Sequence, residues 1–276
     1  MEESLVRRAR RLLRYCMITG VLVATVFPII WMFSFSIKPR EYLLSIPPVL
    51  VFQPTFESYI EVLKEPTFTS SYLNSLIASI SVLISLAIGS LAAYSYVRFK
   101  TQRSESIKLW ILSTRMFPPV VAAIPIFLLM KTLGLLDTSI ALIIVYTCLN
   151  LPIVVWMMSG FFGEVPAEIE ESAMVDGCSR LGAFLRVSLP LAAPGLVATA
   201  VFCFILTWNE FLLALILTGI RARTLPVELS TYLGLYDIDW GGVSAAAVLA
   251  VAPVLVFGLL IKKYLVRGLT FGIVKG

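Results

Sequence analysis

The chain has 276 residues, 59% of them apolar and only 14% charged, with a formal net charge of +5 and no histidine. A soluble domain is nearer half apolar and a quarter charged, so this composition belongs to an integral membrane protein. The missing histidines exclude imidazole catalysis and the usual zinc-hydrolase ligand sets.

A helical span needs about 20 apolar residues. Stretches of that length occupy about 15–37, 72–97, 109–131, 139–160, 195–218 and 241–264. Five are continuous, and the third is mixed because Arg115 and Pro118-Pro119 fall inside it. An all-α membrane protein with six transmembrane helices is therefore expected. The basic N-terminus precedes an apolar run too long for a secretory signal, with no small-residue cleavage site before Lys38, so it reads as an uncleaved first span. With the N-terminus inside, the inner segments carry fifteen lysines and arginines and the outer ones six. That asymmetry places both termini in the cytoplasm.

The first outer segment, about 38–71, has several prolines and offsetting charges and reads as an ordered extracytoplasmic loop. In the second span, Ser81, Ser85, Gly89 and Ala93 recur every four residues, a smooth stripe for close approach of another helix. Gly242, Ala246 and Ala250 repeat the pattern in the sixth. Arg115 is expected near the inner part of the third span, snorkelling toward the cytoplasm in a structural role. Asn150 precedes Pro152 in the fourth span, where it either faces a cavity or satisfies the carbonyl that the proline frees. Cys16, Cys148, Cys178 and Cys203 have no metal-ligand spacing and read as packed thiols.

The inner stretch of about 161–195, FFGEVPAEIEESAMVDGCSRLGAFLRVSLPLAAPG, interrupts the apolar pattern. Pro166 suits a first helical turn, and Glu168, Glu170 and Glu171 suit its positive end. Val165, Ile169, Ala173 and Asp176 share a face. Gly177 is a natural stop, and Ser179 can cap a second short helix with Leu181, Phe184 and Leu185 on its apolar side. Pro190 and Pro194 mark the return to the membrane. An exposed apolar face beside acidic residues suits a protein groove better than an anionic lipid surface.

In the fifth span, Glu210 is an acid near the span's end, preceded by Trp208 and Asn209. Buried acids in spans usually face a cavity or another chain. Trp208, Asn209, Glu210 and Asn150 are the candidates for a substrate pathway, with a structural bond from Glu210 to a neighbouring helix as the alternative. The outer stretch of about 219–240, GIRARTLPVELSTYLGLYDIDW, is polar and aromatic and long enough to reach a partner.

The inner stretch resembles the EAA loop of ATP-binding-cassette importer permeases, whose pattern is E-A-A, three residues, G, nine residues, I-x-L-P. Here Glu171-Ser172-Ala173 is followed three residues later by Gly177, and Val187-Ser188-Leu189-Pro190 follows nine residues after that. TWNEFLLAL (207–215) and LVRGLTFGIVKG (265–276) resemble the maltose-type sugar branch, so the likeness covers essentially the whole chain.

The resemblance implies a type I importer transmembrane domain. Residues 1–71 would form a cytoplasmic N-terminus, first span and outer loop. Residues 72–264 would form the core, with its EAA loop at about 161–193, and 265–276 a cytoplasmic tail. It implies that Glu171, Ser172, Ala173, Asp176, Gly177, Leu189 and Pro190 dock a separate ATPase as a coupling helix. It implies further that Gly272, Lys275 and Gly276 of the tail contact that ATPase and that the 219–240 loop enters a solute-binding protein. The implied assembly holds a second, different permease, two ATP-binding subunits with ATP-Mg, and an extracytoplasmic solute-binding protein, in a prokaryotic cytoplasmic membrane.

The cargo would be a sugar, with a polyol, sugar acid or glycerol phosphate ester as variants. No cofactor, metal or nucleic acid is expected on this chain. No G-x-x-x-x-G-K-[ST] occurs in it, so it carries no phosphate-binding loop of that type. A polytopic membrane enzyme and a receptor without transport are the competing classes. The first lacks clustered inner-face acids or histidines, and the second leaves the Glu171–Gly177–Pro190 spacing unexplained.

Overall fold

Apolar runs flanked by prolines and small polar residues fold here as helices, as the backbone demands when no water is present to satisfy it. The computed structural model describes the backbone of residues 2–99, 103–232 and 238–271, and every regular element among them is helical. Four helices are long and apolar enough to cross a membrane: Arg11–Ser36, Pro66–Arg98, Ser139–Glu164 and Trp240–Leu259. Two bent pairs, Ser104–Met116 with Pro119–Thr132 and Arg180–Leu191 with Ala193–Trp208, raise the number to as many as six.

The bends correct two of the expected spans. The third is broken by 90°. Each proline drives the residue before it out of the helical region, and Phe117 and Pro118 are both extended, with ψ of 127° and 123°. The fifth helix ends at Trp208 rather than running to 218, and a short helix, Leu212–Leu217, follows after a break.

The chain divides into two compact units. Residues 1–65 with 231–251 form one, and 66–230 with 252–276 form the other. In the first unit, the segment after the opening helix contains two short helices, Arg40–Leu43 and Glu57–Lys64. Arg40 pairs with Glu61 and with Asp239, the latter at 3.2 Å. Lys38 is buried, with its ammonium 5.0–5.8 Å from the ring centroids of Phe35, Phe52 and Trp31, a cation–π arrangement.

In the second unit, the most extensive helix–helix contact joins Ile80–Arg98 to Ser139–Glu164. The small-residue stripe makes it: Ser81, Ser85, Gly89 and Ala93 are all buried on that helix. A Cβ on Gly89 would lie 2.6 Å from Val154 Cγ1, so only glycine permits the approach. Ser85 Oγ donates to the Ser81 carbonyl at 2.6 Å, with Thr147 O at 3.3 Å. Tyr146, Leu142, Met130 and Leu213 belong to the apolar core cluster beside this contact.

Candidate functional site

The inner loop folds as a helix, a glycine turn and a second helix. Ala167–Val175 is the first, with Pro166 at its N-cap, one position ahead of the first turn. It ends in a Schellman motif: the Gly177 N–H donates to Met174 O (3.1 Å) and the Cys178 N–H to Ala173 O (3.0 Å). That motif needs a left-handed residue after the cap, and Gly177 has φ +94°. Ser179 Oγ then accepts from the Gly182 N–H at 3.1 Å, capping the second helix as expected. The helix continues through a π-helical stretch, Phe184–Ser188, to the elbow where Ala193–Trp208 begins.

The three acids of the first helix are not equivalent. Glu168 and Glu171 are exposed, while Glu170 is buried. Arg98 Nε donates to Glu170 Oε1 at 2.8 Å, Arg98 Nη2 pairs with the same oxygen, and Tyr94 Oη donates to Oε2 at 2.9 Å. Arg98 Nη2 also donates to the Val165 carbonyl at 2.9 Å. Burial alone would raise the Glu170 pKa, but the bonds from Arg98 and Tyr94 and the Arg98 charge outweigh it and hold the carboxyl below its usual value. Ser188 pulls the same way, although its hydroxyl makes no hydrogen bond of good geometry.

Of the expected docking residues, Glu171, Ser172, Asp176, Gly177 and Pro190 are exposed, and Ala173 and Leu189 are partly covered. Val175, at 87% exposure, and Ile169, Leu181, Leu185 and Leu191 also present apolar surface. Phe184, expected on that side, is instead buried against Tyr94 and Phe162, with ring centroids 4.9 and 5.8 Å away. The expected tail contacts Gly272, Lys275 and Gly276 lie outside the described residues.

The pathway candidates separate into two groups. Asn150 and Glu210 line one small cavity of about 80 Å³, together with Arg115, Tyr146, Thr207 and four apolar residues. Asn150 Nδ2 donates to Thr207 Oγ1 at 2.9 Å. Glu210 is largely occupied, accepting from the Leu213 N–H (2.9 Å), the Ala214 N–H (3.0 Å) and Tyr146 Oη (2.9 Å). It therefore caps the helix that follows the break and fixes it to the 139–164 helix. Trp208 does not face that cavity; it is buried, stacked on Phe204 and edge-on to Tyr72. Asn209 is exposed and bonds back to Ile205 O.

Arg115 corrects its expected place. It shares the cavity with Asn150, which stands about 17 Å along the 26-residue helix Ser139–Glu164 at 1.5 Å per residue. It therefore lies level with the middle of that helix rather than snorkelling to its inner end. Among the described residues it has no ion-pair partner within 4 Å.

The outer stretch after residue 218 is anchored at its start. Asp137, at φ +56°, accepts from the Gly219, Ala222 and Arg221 N–H groups at 2.8, 3.0 and 3.2 Å. Asn74 Nδ2 donates to the Arg221 and Arg223 carbonyls, and the Leu225 N–H donates to Ser75 Oγ. Burial would raise the Asp137 pKa, but the three backbone donors and the Arg221 charge bring it below the usual value. The 219–240 stretch expected to reach a partner is thus fastened over residues 219–225. Residues 233–237 of the stretch lie outside the described ones.

Sequence reasoning missed Arg98, Tyr94 and Asp137. Arg98 stands 72 residues from Glu170, so no local pattern announces the pair. Asp137, between a glycine-containing turn and a helix cap, was legible only as a turn residue.

Comparison with known proteins joins these parts. A family model described as "binding-protein-dependent transport system inner membrane component" matches residues 85–271. The chain is 36% identical to the trehalose/maltose transport system permease protein MalG of Thermococcus litoralis, over 98% of this chain and 99% of that one. It is 35% identical to the sulfoquinovosyl glycerol transport system permease protein SmoH of Agrobacterium fabrum (96% and 94%). It is 34% identical to the diacetylchitobiose uptake system permease protein DasC of Streptomyces coelicolor (93% and 94%).

In structure it resembles a chain of a bacterial ABC transporter involved in the import of the acidic polysaccharide alginate, with TM-score 0.78, 25% identity, and 93% and 96% of the two chains covered. A chain of the MetNI methionine ABC transporter shares the fold alone, at TM-score 0.57, 18% identity, and 77% and 98% coverage. The glycine-broken loop, the bent helix pairs and the match over nearly the full length of these permeases make the chain a member of the binding-protein-dependent transport system inner membrane component family.

Proposed function

We propose that this chain is one permease subunit of an ATP-driven importer that moves a sugar or sugar derivative across the cytoplasmic membrane. The observation that carries the proposal is the inner loop. Glu171 and Ser172 are exposed on the Ala167–Val175 helix, and Asp176 and Gly177 at its C-terminal end, while Glu170 of the same helix is held by a buried ion pair, so the loop offers a fixed surface to a partner. The ATPase is supplied by a separate subunit, two copies acting with this chain, a different second permease and an extracytoplasmic binding protein. Each bent pair crosses the membrane once, which gives six spans and puts both termini in the cytoplasm, in agreement with the placement of lysine and arginine.

The pathway runs past the cavity of Asn150, Glu210 and Arg115, which the second permease completes. The cavity, at about 80 Å³, is smaller than the pockets of about 300–1,000 Å³ that enclose a small-molecule ligand, so this chain alone would contact an edge of the cargo. The cargoes named for the relatives, trehalose or maltose, diacetylchitobiose and sulfoquinovosyl glycerol, support a saccharide and keep an acidic sugar derivative within range. Purification of the tagged chain from its own host tests the proposal, followed by ATP hydrolysis assays with binding protein and a sugar panel. A copurifying ATPase stimulated by a sugar is the expected result. A folded chain that brings down no ATPase would sink it.

A further inference from the structure

Both arms of the inner loop are fastened to the inner end of one helix, Ile80–Arg98. The first arm is held through Glu170, on Arg98 and Tyr94. The second is held through Phe184 on the Tyr94 ring (4.9 Å) and through the Arg180 guanidinium over the Phe99 ring (5.1 Å). The pair is shielded, with side-chain exposures of 14% for Arg98 and 4% for Glu170. By contrast, both covalent routes out of the loop pass through joints. Toward 139–164 the chain runs through extended Val165 and Pro166, with ψ of 118° and 135°. Toward 193–208 it turns an elbow of 76°.

We infer that Arg98 and Tyr94 are positioning residues of the transport cycle, which lock the coupling loop to the 80–98 helix and make that helix the lever moved by the ATPase. The inference rests on the loop being the ATPase dock. Force applied to the exposed side of Ala167–Val175 reaches Glu170 directly, and Glu170 cannot move without Arg98. The 80–98 helix in turn packs on 139–164 through a glycine-deep contact, so the two helices shift as one body. Arg98 holds the Val165 carbonyl as well, which ties the pliable joint to the same lever.

The test uses the whole purified complex in proteoliposomes, with the cognate binding protein and the sugar that stimulates wild type best. Arg98→Gln, Glu170→Gln and the double variant are compared with Arg98→Lys. ATPase copurification reads docking, and sugar-stimulated hydrolysis and uptake read transmission. Docking should stay within about twofold of wild type while stimulation and uptake fall about tenfold in each single variant. The double variant should be no worse than either single, because the two residues act as a unit, and Arg98→Lys should recover much of the loss. Losses that multiply in the double variant would show that the two residues act independently, and uptake that falls only in step with lost docking would show an ordinary structural pair; either result overturns the inference. Wild type that brings down no ATPase fails before any variant is compared, and that result removes the docking premise itself.

Discussion

Gly177 gives the most direct test of the loop. Its φ of +94° lies in the region that side chains avoid, yet a Cβ there would meet nothing within 4 Å. Substitution therefore acts through the backbone and not through crowding. A left-handed conformation costs a non-glycine residue about 1–2 kcal/mol, a factor of about 5–30 in the population of the folded turn. Asparagine tolerates this region better than alanine.

Proline is far worse on three counts. Its ring fixes φ near −65°, about 160° away. It removes the N–H that donates to Met174 O. It also forces the preceding residue toward extended backbone, whereas Asp176 sits at φ −72°, ψ 6°. Sugar-stimulated ATP hydrolysis of the reconstituted complex should therefore rank Gly177 above Asn, Asn above Ala, and Ala far above Pro. The chain's melting temperature should fall little, because the turn lies outside the helical core. Equal activity for Ala and Pro, or wild-type activity for Pro, would refute the argument that turn geometry transmits the stroke.

The stripe on the second span predicts that Gly89→Ala destabilises the chain by about 1–3 kcal/mol through overpacking on Val154. Val154→Ala in that background should recover part of the loss in a detergent melting assay. Asp137→Ala should leave three backbone donors short of their acceptor and speed proteolysis of the 219–224 segment, whereas unchanged cleavage would mean that the clamp contributes nothing. Glu210→Ala should lower the melting temperature before it alters selectivity, since its oxygens cap Leu212–Leu217. Arg115→Gln should leave melting almost unchanged and reduce sugar uptake. Glu170 and Asp137 both have depressed pKa values, so their stabilisation is fully present above the ordinary carboxylate pKa of about 4 and is lost as pH falls through the depressed folded values. Melting temperatures that held flat from pH 7 down to about 5 and then declined would agree, and a decline beginning near neutrality would not.

The helices were legible because apolar runs of spanning length admit little else, and the loop because glycine, serine and proline each impose a local geometry. Pro118-Pro119 was read only as a blemish in the third span, though two successive prolines require two extended residues and hence a sharp bend. The break after Trp208 was hidden because Phe211 to Leu217 keeps the hydropathy of the span. Partnerships across the chain were not legible. Glu170 looked like one of three helix-start acids, and only the packing of Arg98 against it separates it from Glu168 and Glu171. Trp208 looked like a pathway candidate from its place beside Glu210, but it is buried, stacked on Phe204 and edge-on to Tyr72.

In a chain this apolar, what each polar group is bonded to divides scaffold from working surface. Asp137 spends its carboxylate on three backbone N–H groups, Glu170 on Arg98 and Tyr94, and Glu210 on two N–H groups and Tyr146. Each holds a loop or a broken helix in place, and removing its partners would leave a poorly solvated charge, which is costly. Arg115 is different: it is a permanent cation level with the middle of a spanning helix, with no ion-pair partner among the described residues. A charge within a span is expensive to keep, and among the described residues no carboxylate lies within 4 Å of it, although Glu210 lines the same cavity. In the proposed importer, Arg115 is held ready for a group that arrives, from a second permease or from the cargo, in a cavity whose other polar residues, Asn150, Tyr146, Thr207 and Glu210, are already bonded to one another or to backbone.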